Sequence, residues 1–188
     1  EIYTNHIQNI LNEIEEYNFD GIDIDYEKIE GKYKEEYLDF LTTLSLELKQ
    51  RNKILSVTVL PKTQEKNSDT EYVQDYKRIG EIADEVRVMT YDFTLQSSTT
   101  PGPISPISWV EECIQYSIQE IPKEKILLGI HLYAYLWKEQ KASALTYSSV
   151  ENLISSNNIK YVYEEESKEG YAKYTCTNDI QCTLYFQS

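Results

Sequence analysis

Apolar residues recur along the chain with two different spacings, and these spacings predict its helices and strands. Stripes with helical spacing predict helices over residues 2–16, 33–51 and 72–84, and a fourth that carries Trp109, Cys113, Tyr116 and Ile118. Short β-rich or apolar runs between them predict strands over residues 19–26, 54–60, 86–91 and 126–133. The second and the last of these runs predict buried strands. Alternation of this kind is typical of parallel βαβ units, so we expect an α/β fold.

After Trp137 the pattern changes from alternating helices and strands to a short helix followed by a meander. The helix is predicted over residues 147–155, and the antiparallel strands over residues 160–163, 171–176 and 182–186. Turn residues lie at 168–170 and at 178–179. We therefore expect a small α+β domain over residues 141–188 that is appended to a larger region over residues 1–140.

The three cysteines allow one pair and leave one thiol over. Cys176 and Cys182 flank the predicted turn at 178–179. They are placed either for a cross-strand disulfide in an exported protein or for two free thiols on a hairpin. Cys113 lies among apolar helix positions, where it is expected to fill the core.

Length and charge exclude several classes of function. The 188 residues are fewer than the roughly 250 of a complete (β/α)8 barrel. The net charge of −14 argues against nucleic acid and anionic lipid as partners, because both require clustered Lys and Arg. No run approaches the roughly 18 apolar residues of a membrane helix, and the first residues lack the pattern of a signal peptide.

The first predicted strand carries a row of acidic residues on one face. Side chains alternate between the faces of a strand, so one face carries Gly21, Asp23, Asp25 and Glu27, and the other carries Ile22, Ile24 and Tyr26. The three carboxylates lie about 6.6 Å apart along the strand, and such crowding raises the pKa of at least one of them. A carboxyl group that keeps its proton is suited to protonating a glycosidic oxygen. Glu27 is nearest the carboxyl end of the strand, where parallel barrels place their active sites, and is therefore the candidate acid.

Two other interpretations of the acidic row remain open. The row could be a solvated edge, although Asp is depleted in strands and such a row brings no packing benefit. It could also hold Mg²⁺ or Ca²⁺, although the sequence shows no convincing set of additional ligands.

Several motifs resemble glycoside hydrolase family 18. Residues 19–27 (Phe-Asp-Gly-Ile-Asp-Ile-Asp-Tyr-Glu) match the Asp-x-x-Asp-x-Asp-x-Glu signature of that family at every defined position. Residues 89–92 (Met-Thr-Tyr-Asp) resemble its sixth-strand Met-x-Tyr-Asp motif, and residues 129–135 are similar to its seventh-strand Gly-x-Pro-x-Tyr-Gly. Residues 102–107 with Trp109 resemble the bacterial subgroup related to spore-cortex and cell-wall N-acetylglucosaminidases. The resemblance covers nearly the whole chain.

The resemblance implies a fold that the chain contains only in part. We expect a partial (β/α)8 TIM barrel of about strands four to seven, with the α+β domain as an insertion after strand seven. The open sheet edges would pair with a second copy of the chain or with a missing segment.

The resemblance also implies a reaction, namely the retaining, substrate-assisted hydrolysis of β-1,4-linked N-acetylglucosamine in chitin-type or peptidoglycan glycans. No cofactor and no metal are implied. Glu27 would donate the proton and later activate water, Asp25 would hold the acetamido N–H, Asp23 would support Asp25, and Tyr91 would bond the acetamido group. The remaining expected substrate contacts are Asp92, Met89, Tyr133 and Trp137.

Two departures from the family pattern and one rival function stay open. His131 stands where the family usually has Pro, and Ala134 where Gly is usual. The rival is a sugar-binding module without turnover, against which the intact Glu27 argues. Metal-dependent hydrolysis, as a third possibility, predicts inhibition by chelators. The subgroup implies a secreted protein associated with the cell wall or spore.

Overall fold

The computed structural model of the protein describes residues 2–64 and 72–187, and internal contacts divide the chain into two units. The parallel-sheet unit comprises Glu1–Met89 and Cys113–Leu128, and the antiparallel-sheet unit comprises Thr90–Glu112 and Gly129–Ser188.

The parallel-sheet unit contains four strands that pair in chain order and all run parallel, which confirms the predicted α/β class. The strands are β1 (Gly21–Ile24), β2 (Ile54–Val59), β3 (Glu85–Val88) and β4 (Ile126–Leu128). The helices are α1 (Ile2–Glu16), α2 (Lys34–Gln50), α3 (Tyr76–Ile82) and α4 (Ile107–Glu120), of which α4 begins in the other unit. All four lie within, or close to, the predicted helical segments.

The core of this unit is aliphatic and lies between helices α1 to α3 and one face of the sheet. Helical spacing brings apolar residues of α2 onto a single stripe, and each of them is fully buried: Leu38, Leu41, Leu44 and Leu48. The sheet contributes alternating or consecutive buried positions, namely Ile24, Leu55, Val57, Val59, Val86 and Val88. The same alternation leaves the other face of the sheet for polar side chains.

The first strand is shorter than predicted. Its pairing with β2 ends at Ile24 and Val57, so residues 25–30 follow without regular structure. Asp residues fit poorly into strands, which is consistent with an early end of the ladder. Glu27 therefore lies beyond the strand rather than on it.

The predicted strand over residues 126–133 is wrong as a single element. Ile126–Leu128 is the edge strand of the parallel sheet, whereas Tyr133 begins a strand of the antiparallel sheet. The prediction of a buried strand also fails here, because Leu127 and Leu128 are 43% and 40% exposed. Apolar composition alone does not distinguish a central strand from an edge strand.

The antiparallel-sheet unit contains five strands in the spatial order β6-β5-β9-β8-β7 and one helix. Its elements are β5 (Tyr133–Lys138), β6 (Lys141–Thr146), α5 (Tyr147–Asn157), β7 (Val162–Glu164), β8 (Glu169–Thr175) and β9 (Gln181–Phe186). The predicted helix and meander are confirmed, and the sequence interpretation missed the hairpin of β5 and β6. The predicted boundary at residue 140 falls in the turn of that hairpin, and the division into two domains at that point stays a prediction.

Of the alternatives for Cys176 and Cys182, the structure has the disulfide, which closes the turn between β8 and β9. Cys113 is fully buried in α4, as predicted. The turn predicted at 168–170 lies instead at residues 165–168, because Glu169 and Gly170 already pair with β7. None of the helices in the described residues has both the length and the apolar character needed to cross a bilayer.

Candidate active site

Strand β1 lies unusually close to the first residue of β2. A β-carbon at Gly21 would lie 2.1 Å from the carbonyl oxygen of Ile54, a distance that no side chain tolerates. Glycine at this position therefore lets the first strand pair with the second, which fixes where the acidic row begins.

Asp23 lies on the polar face of the parallel sheet, in contact with side chains from the next two strands, β2 and β3. Its Oδ2 accepts a hydrogen bond of 2.6 Å from the hydroxyl of Thr58, and its Oδ1 lies 3.5 Å from Nε of Arg87. The same Nε donates to the hydroxyl of Ser56 at 2.9 Å. The register pairs Asp23 with Ser56 and Thr58 with Arg87, so all four point to one face. Asp23 is thus held as an acceptor, with a guanidinium beside it.

Asp25 and Glu27 follow the end of β1 and are exposed. Between them, Tyr26 packs against the aliphatic core with Ile22, which agrees with the predicted division of the two faces. The expectation that crowding raises the pKa of one carboxyl stays a prediction. Met89 lies one residue past β3, is half-buried, and donates its backbone N–H to the carbonyl of Val59 at 3.0 Å.

Tyr37 on α2 is a residue near the acidic row that the sequence interpretation missed. It is buried, and its hydroxyl has no hydrogen-bond partner within the described ranges. Burial raises the pKa of this phenol, and the charges of Tyr26, Asp25 and Asp23 raise it further. Its position on the core stripe of α2 gave no signal beyond packing.

The antiparallel-sheet unit contains a second acidic centre at Asp92. The hydroxyls of Tyr133 and Tyr135 both donate to Oδ1 of Asp92, the latter at 2.7 Å. Burial raises the pKa of both phenols, that of Tyr135 to about 12, and the hydrogen bonds to Asp92 add to this shift. Both phenols therefore remain protonated donors at neutral pH. Asp92 has φ of 60°, in the left-handed region, so its backbone is held in a conformation that costs about 1 kcal/mol or more.

Tyr91 is half-buried beside this centre, with its ring perpendicular to that of Tyr133 at 6.4 Å. The structure thus brings Tyr91, Asp92 and Tyr133 together, as the motifs predict. Trp137 lies elsewhere in the same aromatic cluster and is fully buried. Its indole N–H donates to the carbonyl of Ser98 at 2.9 Å, and this packing favours a core role over the predicted sugar stacking.

The alternative of a metal site concerns how the possible metal ligands are grouped. Across residues 2–64 and 72–187, no three His, Cys, Asp or Glu side chains are grouped so that they could hold a metal ion.

Comparison with known proteins places the chain in a family. Residues 3–185 match the family described as Glycosyl hydrolases family 18. The chain belongs to this family. The residues that resemble the family's acidic signature, 20–27, lie within this match and include β1 and the start of the segment that follows it.

Two relatives are each 31% identical to this chain over the region that aligns with it. This chain is 31% identical to the cortical fragment-lytic enzyme of Bacillus anthracis. The match covers 99% of this chain and 44% of that protein. The crystal structure of the Bacillus cereus spore cortex-lytic enzyme SleL has 31% identity and a TM-score of 0.90, over 97% of this chain and 43% of that one. This chain therefore spans less than half the length of these two relatives.

A more distant structure shows the fold alone. The chitinase from Chromobacterium violaceum ATCC 12472 matches with a TM-score of 0.91 at 23% identity, over 97% of this chain and 58% of that one.

The two departures from the family 18 pattern are both buried. Ala134 is fully buried in the core of the antiparallel-sheet unit, and His131 is only 2% exposed. Nε2 of His131 has no hydrogen-bond partner in the part of the chain that the structure describes. Burial lowers the pKa of this imidazole, and the charge of Asp92 opposes the shift, so His131 is neutral at neutral pH.

Proposed function

We propose that the protein hydrolyses β-1,4-linked N-acetylglucosamine in chitin-type or peptidoglycan glycans, with retention of configuration and with assistance from the substrate's own acetamido group. One observation carries this proposal: the complete acidic signature of family 18 extends from just before to just after the parallel strand β1, with Glu27 exposed beyond the strand's carboxyl end. That end of a parallel sheet is where such enzymes place their catalytic groups.

In the proposed reaction, the acetamido oxygen of the substrate attacks the anomeric carbon while Glu27 gives its proton to the departing glycosidic oxygen. The product of this step is an oxazolinium ion, and Glu27 then takes a proton from the water that opens it. Asp25 binds the acetamido N–H and stabilises the positive charge of the intermediate. Asp23 supports Asp25, and its bonds to Thr58 and Arg87 keep Asp23 in place.

The proposal gives the second acidic centre a role in binding. Tyr91 donates a hydrogen bond to the acetamido group, and Asp92 with Tyr133 lines the sugar subsite. Asp92 accepts hydrogen bonds from two hydroxyls, and these bonds are consistent with this role because they fix the carboxylate in one orientation. Met89 retains its predicted place in the lining, whereas Trp137 is fully buried and acts through the core, where its ring contacts Tyr135.

For the whole protein, we propose a (β/α)8 barrel of which this chain supplies about strands four to seven, with residues 141–188 as the insertion domain. The names of the relatives from Bacillus favour a cell-wall or spore-associated enzyme that acts on cortex peptidoglycan. Pairing of the open sheet edges with another segment or a second copy belongs to the same proposal.

The test is Glu27→Gln in the full-length protein, assayed for sugar release from labelled chitobiosides and from muropeptides. Loss of the acid should lower the rate by about 10²- to 10⁴-fold, while binding of the glycan persists. The matched control is Glu30→Gln, which removes an exposed carboxylate from the same segment and should leave the rate unchanged.

Two outcomes would overturn the proposal in different ways. Wild-type protein that binds the glycans and releases nothing would be a sugar-binding module. Activity that chelators abolish would instead indicate metal-dependent hydrolysis.

A further inference from the structure

The polypeptide that carries Glu27 leaves the sheet before it reaches the acid. Pairing between β1 and β2 ends at Ile24 and Val57, whereas β2 itself continues to Val59. A catalytic carboxyl must be held within a fraction of an ångström of its working position. Something other than the strand ladder must therefore fix the backbone at residues 25–27.

The side chain of Gln74 bridges this gap. It is fully buried, its Oε1 accepts the backbone N–H of Leu60 at 2.7 Å, and its Nε2 lies 3.4 Å from the backbone carbonyl oxygen of Tyr26. Leu60 directly follows β2, and Tyr26 directly precedes Glu27. The amide thus takes the place that a strand-to-strand hydrogen bond would have had if the ladder had continued.

The orientation of this amide is fixed by its surroundings. Only the oxygen of the amide can accept from the N–H of Leu60, so the NH2 group must face the Tyr26 carbonyl. Lys62 donates from Nζ to the backbone carbonyl of Gln74 at 2.8 Å, and the hydroxyl of Tyr76 donates to the carbonyl of Leu60 at 2.6 Å. These two bonds hold the backbone of Gln74 and of Leu60, and with them the bridging amide, at the end of β2.

The side chain of Tyr26 is held as well. Its hydroxyl lies 2.5 Å from Nε2 of His6, and its ring stacks on Phe40 with an interplanar angle of 11°. With the side chain fixed on the core side and the carbonyl fixed by Gln74, residue 26 has little freedom, and Glu27 projects from it.

We propose that Gln74 is a positioning residue for Glu27, acting through its donated hydrogen bond to the Tyr26 carbonyl. The inference rests on the proposed function for its catalytic consequence, but not for its structural one. Loss of the donor should loosen the segment 25–28 and affect kcat more than KM, because the proposed sugar contacts of Tyr91, Asp92 and Tyr133 remain.

Two substitutions separate donation from packing. Gln74→Glu keeps an acceptor for the Leu60 N–H, but an ionised carboxylate cannot donate to the Tyr26 carbonyl. Gln74→Met keeps a side chain of similar length and makes neither bond. At neutral pH, kcat should fall roughly ten- to a hundredfold in both variants. Circular dichroism and thermal unfolding establish that each variant is folded at the assay temperature.

The pH profile gives the decisive readout. At lower pH the carboxyl group introduced by Gln74→Glu becomes protonated and can donate again, and burial favours that neutral form. The ratio of kcat in Gln74→Glu to kcat in wild type should therefore rise as the pH falls. The corresponding ratio for Gln74→Met should stay flat.

Amide hydrogen exchange over residues 25–28 tests the positioning without any need for turnover. Faster exchange in both variants, with recovery at low pH only in Gln74→Glu, would support the inference. This holds even if wild-type protein and Glu27→Gln are equally inactive, a result that would contradict the proposed function alone. Unchanged exchange with wild-type kcat would overturn the inference. So would equal losses in the two variants with no difference in their pH profiles, because packing alone would then explain them.

Discussion

The two units of this protein surround a carboxylate in different ways. In the parallel-sheet unit, Asp23 meets a hydroxyl and a guanidinium that come from the next two strands in chain order. In the antiparallel-sheet unit, Asp92 has a strained left-handed backbone conformation. It accepts hydrogen bonds from two phenol hydroxyls on a strand about forty residues further along the chain.

The hydrophobic cores of the two units also differ in composition. Leucine, isoleucine and valine predominate in the core of the parallel-sheet unit, where regular helices cover the sheet. The antiparallel-sheet unit has a smaller aliphatic cluster, an aromatic cluster around Tyr135 and Trp137, and a disulfide. In the unit with regular packing, strand register brings the side chains of Thr58 and Arg87 to Asp23. A smaller and less regular unit depends on particular side-chain bonds and on a covalent link.

The largest stability effect should come from the aliphatic core. Leu41→Ala removes a fully buried side chain from α2 and should destabilise the parallel-sheet unit by about 2–5 kcal/mol, since a cavity remains. Leu46→Ala on the same helix is the matched control, because Leu46 is 59% exposed and should cost much less. Urea unfolding measures the difference. Hydrogen exchange that rises equally in both units would mean that the two cores are not separate cooperative regions.

Removing the disulfide should be the largest effect in the antiparallel-sheet unit. The double substitution Cys176→Ser with Cys182→Ser opens a short loop and should cost about 2 kcal/mol. Thermal unfolding with and without reductant provides the control, because reductant should lower the stability of the wild type to that of the variant and leave the variant unchanged. A variant as stable as the wild type would show that the disulfide does not stabilise the antiparallel-sheet unit.

A smaller loss is expected at Asp92. Tyr135→Phe removes one of its two donors and should cost about 1 kcal/mol, because Tyr133 still donates. Tyr147→Phe is the control, since Tyr147 is exposed on α5. Ultraviolet titration should also show that this substitution deletes a phenol that ionises at about pH 12. A Tyr135 that ionises at the ordinary pH would contradict the buried hydrogen bond.

The smallest effect should be a change in how steeply the stability of the protein depends on pH. Glu169 is buried and accepts the backbone N–H groups of Ile104 and Ser105, yet burial dominates and raises the pKa of its carboxyl. A raised pKa means that the folded state binds the proton more tightly than the unfolded state. This contribution to stability is therefore complete below the ordinary pKa of a glutamate and is lost as the pH rises through the raised value.

Glu169→Gln should remove this part of the pH dependence. The expected result is that the melting temperature of the wild type falls more steeply with rising pH, in the weakly acidic range, than that of Glu169→Gln. Parallel curves would show that the two backbone donors balance the burial.

Much of the parallel-sheet unit follows from local patterns. Helical stripes predict α1 and α2 nearly to the residue, because burying one face decides where an amphipathic helix forms. The alternation around Asp23 also predicts which side chains face the core. It overestimates the length of β1, because the period of two continues in the sequence after the partner strand has ceased to pair.

The sequence by itself determined the family, the acidic motif with Glu27 as its last member, and the order of helices and strands in the parallel-sheet unit, since these depend on residue types and spacings along a continuous stretch. Only the tertiary structure decided that Arg87 and Thr58 meet Asp23, that Tyr135 bonds Asp92, that Trp137 is buried, and that Gln74 holds the carbonyl before Glu27. The physical reason is distance along the chain. Each of these contacts joins residues 35 or more positions apart, or depends on which strands become neighbours, and no local periodicity carries that information.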